Sequence, residues 1–284
     1  MRHDGDSPLQ ALVARIDATP PGGPGPDAVA SGFPSLDRML AGGFRREDLV
    51  VLAGDVGSGK SALALAMAIR SARGGVPSLV LSAEMSPERM MERALAIEGR
   101  AGVDELRQGR LDDAARAAVG AAAVRLRDLP FMLRTLPGDD FAEVRDALDT
   151  VPRPGLLVID SLQLAPSPRP VGRLEERVAL AVRALKALAV ERSVTVLAVA
   201  QLPGLRPNRP DPRPTLDDLG GLGAVKQSAD VVLAIYREEM YRPGQGVEGA
   251  TELIVVKNRG GPTGFVDLFY YPRWLRFVDM LDED

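Results

Sequence analysis

The sequence contains no cysteine, which excludes disulfide bonds and thiolate metal sites. No stretch approaches the roughly 18 uninterrupted apolar residues that a membrane-spanning helix needs. The first six residues, Met1 to Asp6, are too polar to begin a signal peptide. We therefore expect a cytoplasmic protein with no membrane partner.

An excess of positive charge is also absent. The formal net charge is −4 and the sequence pI is about 5.3, so bulk charge gives no argument for nucleic-acid binding. If DNA is a partner, the basic residues must be concentrated on a few loops. Apolar residues make up 45% of the chain and charged residues 26%, a balance typical of a soluble globular protein. At 284 residues the chain is long enough for one substantial α/β domain.

Residues 1–30 are predicted to form a short helix and a Pro/Gly linker. Ser7 is a plausible N-cap, and four apolar residues follow at helical spacing: Leu9, Leu12, Val13 and Ile16. The linker TPPGGPGP, residues 19–26, suits neither a helix nor a central strand. We expect the helix to dock on a neighbouring subunit; the alternative is a loosely ordered tail.

Residues 31–284 are predicted to form one domain in which strands and helices alternate. Short apolar runs separated by helical segments lie at 48–53, 78–82, 156–159 and 194–200. Such runs indicate a largely parallel sheet that is covered on both faces. Three later strands have no intervening helix: 231–236, 251–257 and 265–271. The predicted fold is therefore α/β, with antiparallel strands added at one edge of the sheet.

The clearest motif is a phosphate-binding loop of the pattern G-x-x-x-x-G-K-[ST], placed between a predicted strand and a predicted helix. Its residues are Gly54, Asp55, Val56, Gly57, Ser58, Gly59, Lys60 and Ser61. The glycines let backbone N–H groups converge on phosphate oxygens, and the helix N-terminus adds a favourable dipole. Lys60 is expected to reach the β- and γ-phosphates and Ser61 to ligate Mg²⁺. The motif predicts ATP and Mg²⁺ as cofactors.

Polar side chains follow three other predicted strands. Asp160 ends the run Leu156 to Ile159 and is the natural partner for Mg²⁺. Glu84 follows the strand after the P-loop helix, where a carboxylate can orient or deprotonate the attacking water. Gln201 ends a further strand and suits a relay between the γ-phosphate and a DNA-facing loop. Because the carboxyl ends of parallel strands share one edge of a sheet, these groups are expected to meet the P-loop.

A cationic pair lies near the end of a late strand. Lys257 and Arg259 are two residues apart, so they are expected to project from one face. Such a pair can reach a neighbouring subunit's γ-phosphate, as arginine fingers do. A solvated strand end is the alternative that the spacing leaves open.

Together these segments resemble the RecA-like motor domain of the DnaB family of replicative DNA helicases, from about Gly32 to Phe277. The segments that carry the resemblance are GFPSLDR (32–38), LSAEMS (81–86), VIDSLQL (158–164), AQL (200–202) and KNRGGPTG (257–264). The last is the most specific, because it matches that family's K-x-R-x-G-P-T-G signature.

The resemblance implies a role for each matched residue. Lys60 and Ser61 are the P-loop pair, Glu84 the catalytic carboxylate, Asp160 the Mg²⁺-associated aspartate and Gln201 the γ-phosphate sensor. Arg93 falls where the family carries an arginine beside the catalytic centre. Lys257 and Arg259 are implied to act in trans, which implies a hexameric ring.

Two features depart from the family pattern. Fewer than 32 residues precede the motor segment, so we expect no counterpart of the family's N-terminal domain, which serves primase interaction and ring assembly. The family's channel loop D-L-R-E-S-G corresponds to Asp218 to Gly223, in which Gly220 and Gly221 replace Arg and Glu. Backbone N–H groups around Gly220 to Gly223 are expected to bind a DNA phosphate, but more weakly because the positive charge is missing. Loop arginines are expected to compensate: Arg169, Arg173, Arg206, Arg209 and Arg213.

Three functions are consistent with the sequence. The first is an ATP-driven motor that moves along single-stranded DNA and unwinds duplexes as a DnaB-like ring. The second is a recombination ATPase of the RecA/RadA type. The third is a non-translocating regulatory ATPase that acts on a protein partner. The K-x-R-x-G-P-T-G match favours the first over the second, and the altered channel loop keeps the third open.

Overall fold

The computed structural model of the chain describes residues 7–19, 25–136, 138, 140–202, 209–219, 223–244 and 247–282. The helices in this part of the chain are α1 (Pro8–Ala18), α2 (Pro34–Met39), α3 (Lys60–Arg73), α4 (Pro87–Gly99), α5 (Val103–Gln108), α6 (Asp113–Arg127), α7 (Phe141–Asp149), α8 (Leu174–Arg192) and α9 (Gly223–Ser228). The strands are β1 (Ala28–Val29), β2 (Phe44–Arg45), β3 (Leu49–Gly54), β4 (Ser78–Ser82), β5 (Phe131–Thr135), β6 (Leu156–Asp160), β7 (Thr195–Gln201), β8 (Val231–Tyr236), β9 (Ala250–Asn258), β10 (Gly264–Tyr271) and β11 (Arg276–Asp279).

Nine of these strands form one sheet in the order β11-β10-β9-β8-β3-β7-β6-β4-β5. Strands β8, β3, β7, β6, β4 and β5 pair in parallel. Strands β9, β10 and β11 extend the β8 side in antiparallel pairs. The predicted α/β fold, with antiparallel strands at one edge, is confirmed.

Two apolar cores cover the two faces of the sheet. Val50 and Leu52 of β3 belong to the core that also contains most of α3, whereas Val51 belongs to the core that contains the apolar face of α8. All six residues of β3 are buried, which explains why an uninterrupted apolar run forms a central strand. The sheet therefore holds the carboxyl ends of its central strands in fixed register.

The seven strands predicted from the sequence agree with the structure to within one residue at their ends. The short helices α2 and α9 and the strands β1, β2 and β11 were not predicted, because none of them has a distinct apolar pattern of its own. Buried Phe277 of β11 stacks on Tyr270 of β10, with ring centroids 4.4 Å apart, so tertiary contact defines this edge strand.

The N-terminal helix begins as predicted. Ser7 and Gln10 form a reciprocal capping box, which satisfies free backbone N–H groups at the helix start. Its apolar residues Leu9, Leu12, Val13 and Ile16 are exposed, Leu9 by 67%. The core of the predicted Pro/Gly linker, residues 20–24, lies outside the described residues. In the part of the chain that the structure describes, no helix has the length and apolar content to cross a membrane.

Candidate nucleotide-binding site

The parallel strands bring their terminal residues to one edge of the sheet. Gly54 at the end of β3 lies opposite Gln201 at the end of β7, and Asp160 at the end of β6 lies opposite Ser82 of β4. These ends open into a cleft of about 510 Å³. Its lining includes Lys60, Ser61, Glu84, Asp160 and Gln201, so the structure brings together the groups that the sequence singled out.

The P-loop connects β3 to α3 through two glycines with positive φ, +78° at Gly57 and +97° at Gly59. A side chain is strained in that region of conformational space. A Cβ on Gly59 would also lie 2.8 Å from Cζ of Phe277. The loop is thus wrapped over the start of a 14-residue helix, whose N-terminus favours an anion.

Lys60, Ser61 and Asp160 form the charged floor of the cleft. The Lys60 Nζ donates to the Asp55 carbonyl at 2.6 Å, and burial lowers the pKa of Lys60. Asp160 is only 4% exposed. Burial raises the pKa of its carboxyl, and a hydrogen bond from the Ser61 hydroxyl opposes that rise.

This pair fits a magnesium ion. The hydroxyl and carboxylate oxygens are hard donors, and Mg²⁺ is usually held by one or two such groups together with substrate phosphates. Across the described residues, no cluster of three or more His, Cys, Asp or Glu side chains is placed to hold a metal. Ser61 and Asp160 would therefore share the ion with a bound phosphate chain.

Glu84 is held at the mouth of the cleft by a residue that the sequence reasoning missed. The Ser161 hydroxyl donates to the Glu84 Oε1 at 3.2 Å, and Ser161 itself is buried. Glu84 remains exposed to the cleft, so its carboxylate is oriented and accessible to water. Ser161 lies in the segment VIDSLQL that carries the family resemblance, but no pattern in the sequence assigned it a role of its own.

The outer side of the P-loop is supported by residues that had no motif to mark them. The Arg237 guanidinium donates to the Gly57 carbonyl at 3.2 Å, lies 4.5 Å from the centre of the Tyr270 ring and pairs with Glu239. The Tyr241 hydroxyl donates to Asp55 Oδ2 at 3.5 Å. Burial, followed by the charge of Asp55, raises the pKa of Tyr241 to about 12, so its hydroxyl keeps the proton that this bond needs.

Arg93 lies on α4 beside the cleft. Its positive charge opposes the rise that burial causes in the pKa of Asp160. It lines a neighbouring cavity of about 470 Å³, and Leu275 lines both cavities. This position agrees with the expected place beside the catalytic centre, and the catalytic role of Arg93 stays a prediction.

Lys257 and Arg259 lie beside the amino ends of the central strands, whereas the P-loop lies at their carboxyl ends. Lys257 is paired with Val232 near the start of β8, and Val231 at that start is opposite Val50 of β3. The P-loop follows the other end of β3. The cationic pair is therefore separated from its own chain's nucleotide cleft by the length of the central strands.

The candidate DNA-binding residues are spread over loops at the surface. Arg169 and Arg173 are exposed, with Arg169 3.7 Å from Glu176. Arg209 pairs with Asp218 at 2.5 Å, and Arg213 pairs with Glu252 at 2.5 Å. Gly223 is the first residue of α9, while Arg206 and residues 220–222 lie outside the described residues. Binding of DNA by these residues stays a prediction.

A phosphate-binding loop at the end of a central strand, with an aspartate at the end of a nearby parallel strand, defines a P-loop ATPase of the RecA-like fold. The sequence model described as "DnaB-like helicase C terminal domain" matches residues 28–279. The chain belongs to this family.

Individual relatives agree with the family match. The chain is 33% identical over 256 residues to "Replicative DNA helicase DnaB" of Leifsonia xyli subsp. xyli and 32% identical over 257 residues to the protein of that name from Geobacillus stearothermophilus. Each alignment covers 89% of this chain and 56% of the relative. The chain thus spans about half the length of these curated relatives.

Solved structures show the same fold. One of them, an isolated ATPase domain, has a TM-score of 0.88 and 27% identity, covering 98% of this chain and 100% of that one. "The Structure Of A DnaB-Like Replicative Helicase And Its Interactions With Primase" has a TM-score of 0.87 and 26% identity, covering 97% of this chain and 68% of that one.

Proposed function

We propose that the chain is an ATP-hydrolysing motor that moves along single-stranded DNA and unwinds duplexes as part of a ring. One observation carries the proposal: the groups expected to act on ATP lie at opposite ends of the central strands. The P-loop, Glu84, Asp160 and Gln201 converge at the carboxyl ends, while Lys257 and Arg259 lie beside the amino ends. Family membership supports the same reading.

Hydrolysis requires a water molecule to attack the γ-phosphorus while the bond to the ADP oxygen breaks. Glu84 orients this water and accepts its proton, a task that its exposure to the cleft allows. Lys60 and the P-loop N–H groups stabilise the charge on the phosphate oxygens. Ser61 and Asp160 would hold Mg²⁺, which would supply positive charge to the phosphate oxygens.

The remaining positive charge comes from a neighbouring copy in this proposal. Lys257 and Arg259 are remote from their own nucleotide cleft, so a second subunit must present its cleft to them. A closed hexameric ring provides such head-to-tail contacts. The exposed apolar residues of α1 would pack on the adjacent subunit and strengthen the ring.

Single-stranded DNA would contact the loops that follow β6 and β7. Arg169 and Arg173 are exposed, and Arg169 pairs with the exposed Glu176 at the long distance of 3.7 Å. Arg209 and Arg213 already have carboxylate partners, so DNA would have to displace Asp218 and Glu252. We therefore expect Arg169 and Arg173 to contribute more to the salt dependence of binding.

Neither alternative function is favoured by the family match. A recombination ATPase would diverge around the K-x-R-x-G-P-T-G strand, which is intact here. A regulatory ATPase that acts on a protein partner would show no dependence on DNA. The decisive experiment measures the ATPase rate with and without single-stranded DNA at low and moderate salt, with Lys60→Ala as the inactive control. Stimulation is expected, and a rate indifferent to DNA at both salt concentrations would contradict the proposal.

A further inference from the structure

Asp230 is a buried carboxylate between α9 and β8, at the edge of the sheet that carries the cationic pair; the residue is 6% exposed. One oxygen, Oδ2, accepts hydrogen bonds from the Lys186 Nζ at 2.6 Å and from the Leu49 N–H at 2.9 Å. The other, Oδ1, accepts from the Arg259 Nη1 at 3.2 Å, and the Asp230 carbonyl accepts from the Arg259 N–H at 2.8 Å. Arg259 is thus held by both its backbone and its side chain.

The two oxygens of the Asp230 carboxylate have different partners: Oδ2 is held within the protein, and Oδ1 binds Arg259. Lys186 and the Leu49 N–H restrain one oxygen, and burial leaves the Asp230 side chain little room to move. The Arg259 side chain is 64% exposed, and a long exposed side chain normally samples many rotamers. A charge-assisted bond to a fixed carboxylate reduces that freedom.

Lys257 is directed to the same place by a β-bulge. Lys257 lies opposite Val232, but Val255 lies opposite Leu233, so β9 has one extra residue at this point. Directly opposed residues share a face of the sheet, and Val232 faces α8 whereas Val255 belongs to the core around α3. The bulge therefore turns Lys257 onto the α8 face, where regular alternation would have placed it on the other.

On that face Lys257 meets the end of α9. Its Nζ donates to the carbonyls of Lys226 at 2.7 Å and Ala229 at 2.5 Å. Free carbonyls at a helix C-terminus favour a cation. Residues 226–230, which we call the anchor segment, thus hold both Lys257 and Arg259.

The anchor segment also adjoins the channel loop, residues 218–223. Helix α9 begins at Gly223, the last residue of that loop. The Lys226 side chain pairs with Asp217 at 2.7 Å, which connects the anchor segment to the chain on the other side of the loop. The described residues on the two sides of the loop, Asp217 and Gly223, are therefore both connected to the anchor segment.

We propose that Asp230 is a positioning residue for Arg259, and that the anchor segment keeps the cationic pair preorganised. This inference rests on the proposed function, in which that pair completes a neighbour's nucleotide site. A preorganised cation stabilises a developing charge better than one that must be ordered during the reaction.

The test is Asp230→Asn, which keeps an oxygen for the Leu49 N–H and removes the negative charge. We expect the ATPase rate of the assembled chain to fall on the order of ten- to a hundredfold, with nucleotide affinity unchanged. Asp149→Asn is the matched control, because Asp149 pairs with Arg192 at 2.7 Å on the surface. An unchanged rate in Asp230→Asn would overturn the inference.

Mixed assemblies separate positioning in trans from damage in cis. Asp230→Asn chains keep an intact P-loop, and Lys60→Ala chains keep an intact cationic pair. Their mixture should recover part of the activity, whereas misfolding that extends to the chain's own nucleotide cleft would give no recovery. Arg259→Ala mixed with Lys60→Ala is the comparison: recovery there but not with Asp230→Asn overturns this inference alone. No recovery in either mixture overturns the proposed function as well.

If Asp230→Asn does not fold, the double variant Asp230→Asn/Lys186→Met provides the test, because it also removes the lysine that would lose its buried partner. The same mixing result is expected from it, and a fully active double variant would overturn the inference.

Discussion

Gln163 and Gln201 are joined by two hydrogen bonds that run in opposite directions. The Gln163 Nε2 donates to the Gln201 carbonyl at 2.9 Å, and the Gln201 N–H donates to the Gln163 Oε1 at 3.3 Å. The Gln163 side chain therefore pairs with the backbone at the end of β7, as a neighbouring strand would. The side chain of Gln201, which is exposed in the cleft, has a fixed backbone beneath it.

Gln163→Ala should weaken the response to DNA. Each lost hydrogen bond is worth about 1 kcal/mol, so the end of β7 will hold Gln201 less firmly. We expect the DNA-stimulated ATPase rate to fall roughly three- to thirtyfold, while nucleotide affinity changes little. Gln108→Ala, at an exposed helix end outside the cleft, is the control. Equal rates for the two variants would show that Gln163 has no part in the relay.

Arg237→Ala should destabilise the fold as well as the P-loop. Removing the guanidinium leaves Glu239 without its pair and the Gly57 carbonyl without its donor. Loss of one partner from a buried pair costs about 3 kcal/mol, to be measured by denaturant unfolding, and nucleotide affinity should weaken in parallel. Arg242→Ala removes an exposed pair with Glu238 and should cost at most about 1 kcal/mol. A smaller loss in Arg237→Ala than in Arg242→Ala would refute the argument.

Gly59→Ala and Gly57→Ala form a matched test of the P-loop. Both residues have positive φ, which costs an alanine about 1–2 kcal/mol. Only at Gly59 would the new Cβ meet Phe277, at 2.8 Å; at Gly57 the nearest atom is Cε of Met240 at 4.0 Å. Gly59→Ala should therefore lose roughly a further 1–3 kcal/mol in the free energy of unfolding. Similar losses of unfolding free energy in the two variants would mean that Phe277 can move away from the new methyl group without destabilising the fold.

Asp160→Asn should stabilise the nucleotide-free chain at neutral pH while abolishing Mg²⁺-dependent hydrolysis. Burial raises the pKa of Asp160 above its ordinary value of 3.8, so the folded state binds this proton more tightly than the unfolded state. The contribution of Asp160 to the wild-type free energy of unfolding therefore falls as the pH rises from 3.8 through the raised pKa. The asparagine of the variant does not titrate, so this decrease in the free energy of unfolding is absent from the variant.

The measurement for Asp160→Asn is a comparison of thermal unfolding midpoints without nucleotide. The stability gained by the variant should be present near neutrality and absent just below pH 3.8, the ordinary pKa of the carboxyl. The other carboxyl groups titrate in both proteins, so their contributions cancel in the difference. A variant that is less stable than wild type at neutral pH would contradict the expectation.

The elements that the sequence predicted correctly share a simple physical basis. Central strands such as β3 are buried on both faces, so every residue must be apolar and the run is visible in the sequence. The P-loop is equally visible, because its glycines and Lys60 meet a local requirement of phosphate binding. Strand β11 had no such signal, since the role of Phe277 depends on its packing against Tyr270 and Gly59.

The environment of the loop arginines also depended on the fold. No aromatic residue lies between them in the sequence, yet the fold places the Arg213 guanidinium 5.0 Å from the centre of the Tyr236 ring and pairs it with Glu252. Glu252 is 39 residues away along the chain. Such partners are set by strand register, which a local pattern does not encode.

The sequence by itself determined the fold class and the phosphate-binding loop, because both produce local patterns of apolar residues or glycines. It also identified Glu84, Asp160 and Gln201 as neighbours of that loop, because parallel strands end at the same side of a sheet. Only the tertiary structure decided what holds these groups: Ser161 on Glu84, Arg237 on the P-loop and Asp230 on Arg259. Each of these contacts joins residues from separate elements. Their distances depend on how the sheet is stacked and where β9 bulges, and these are properties of the packed chain.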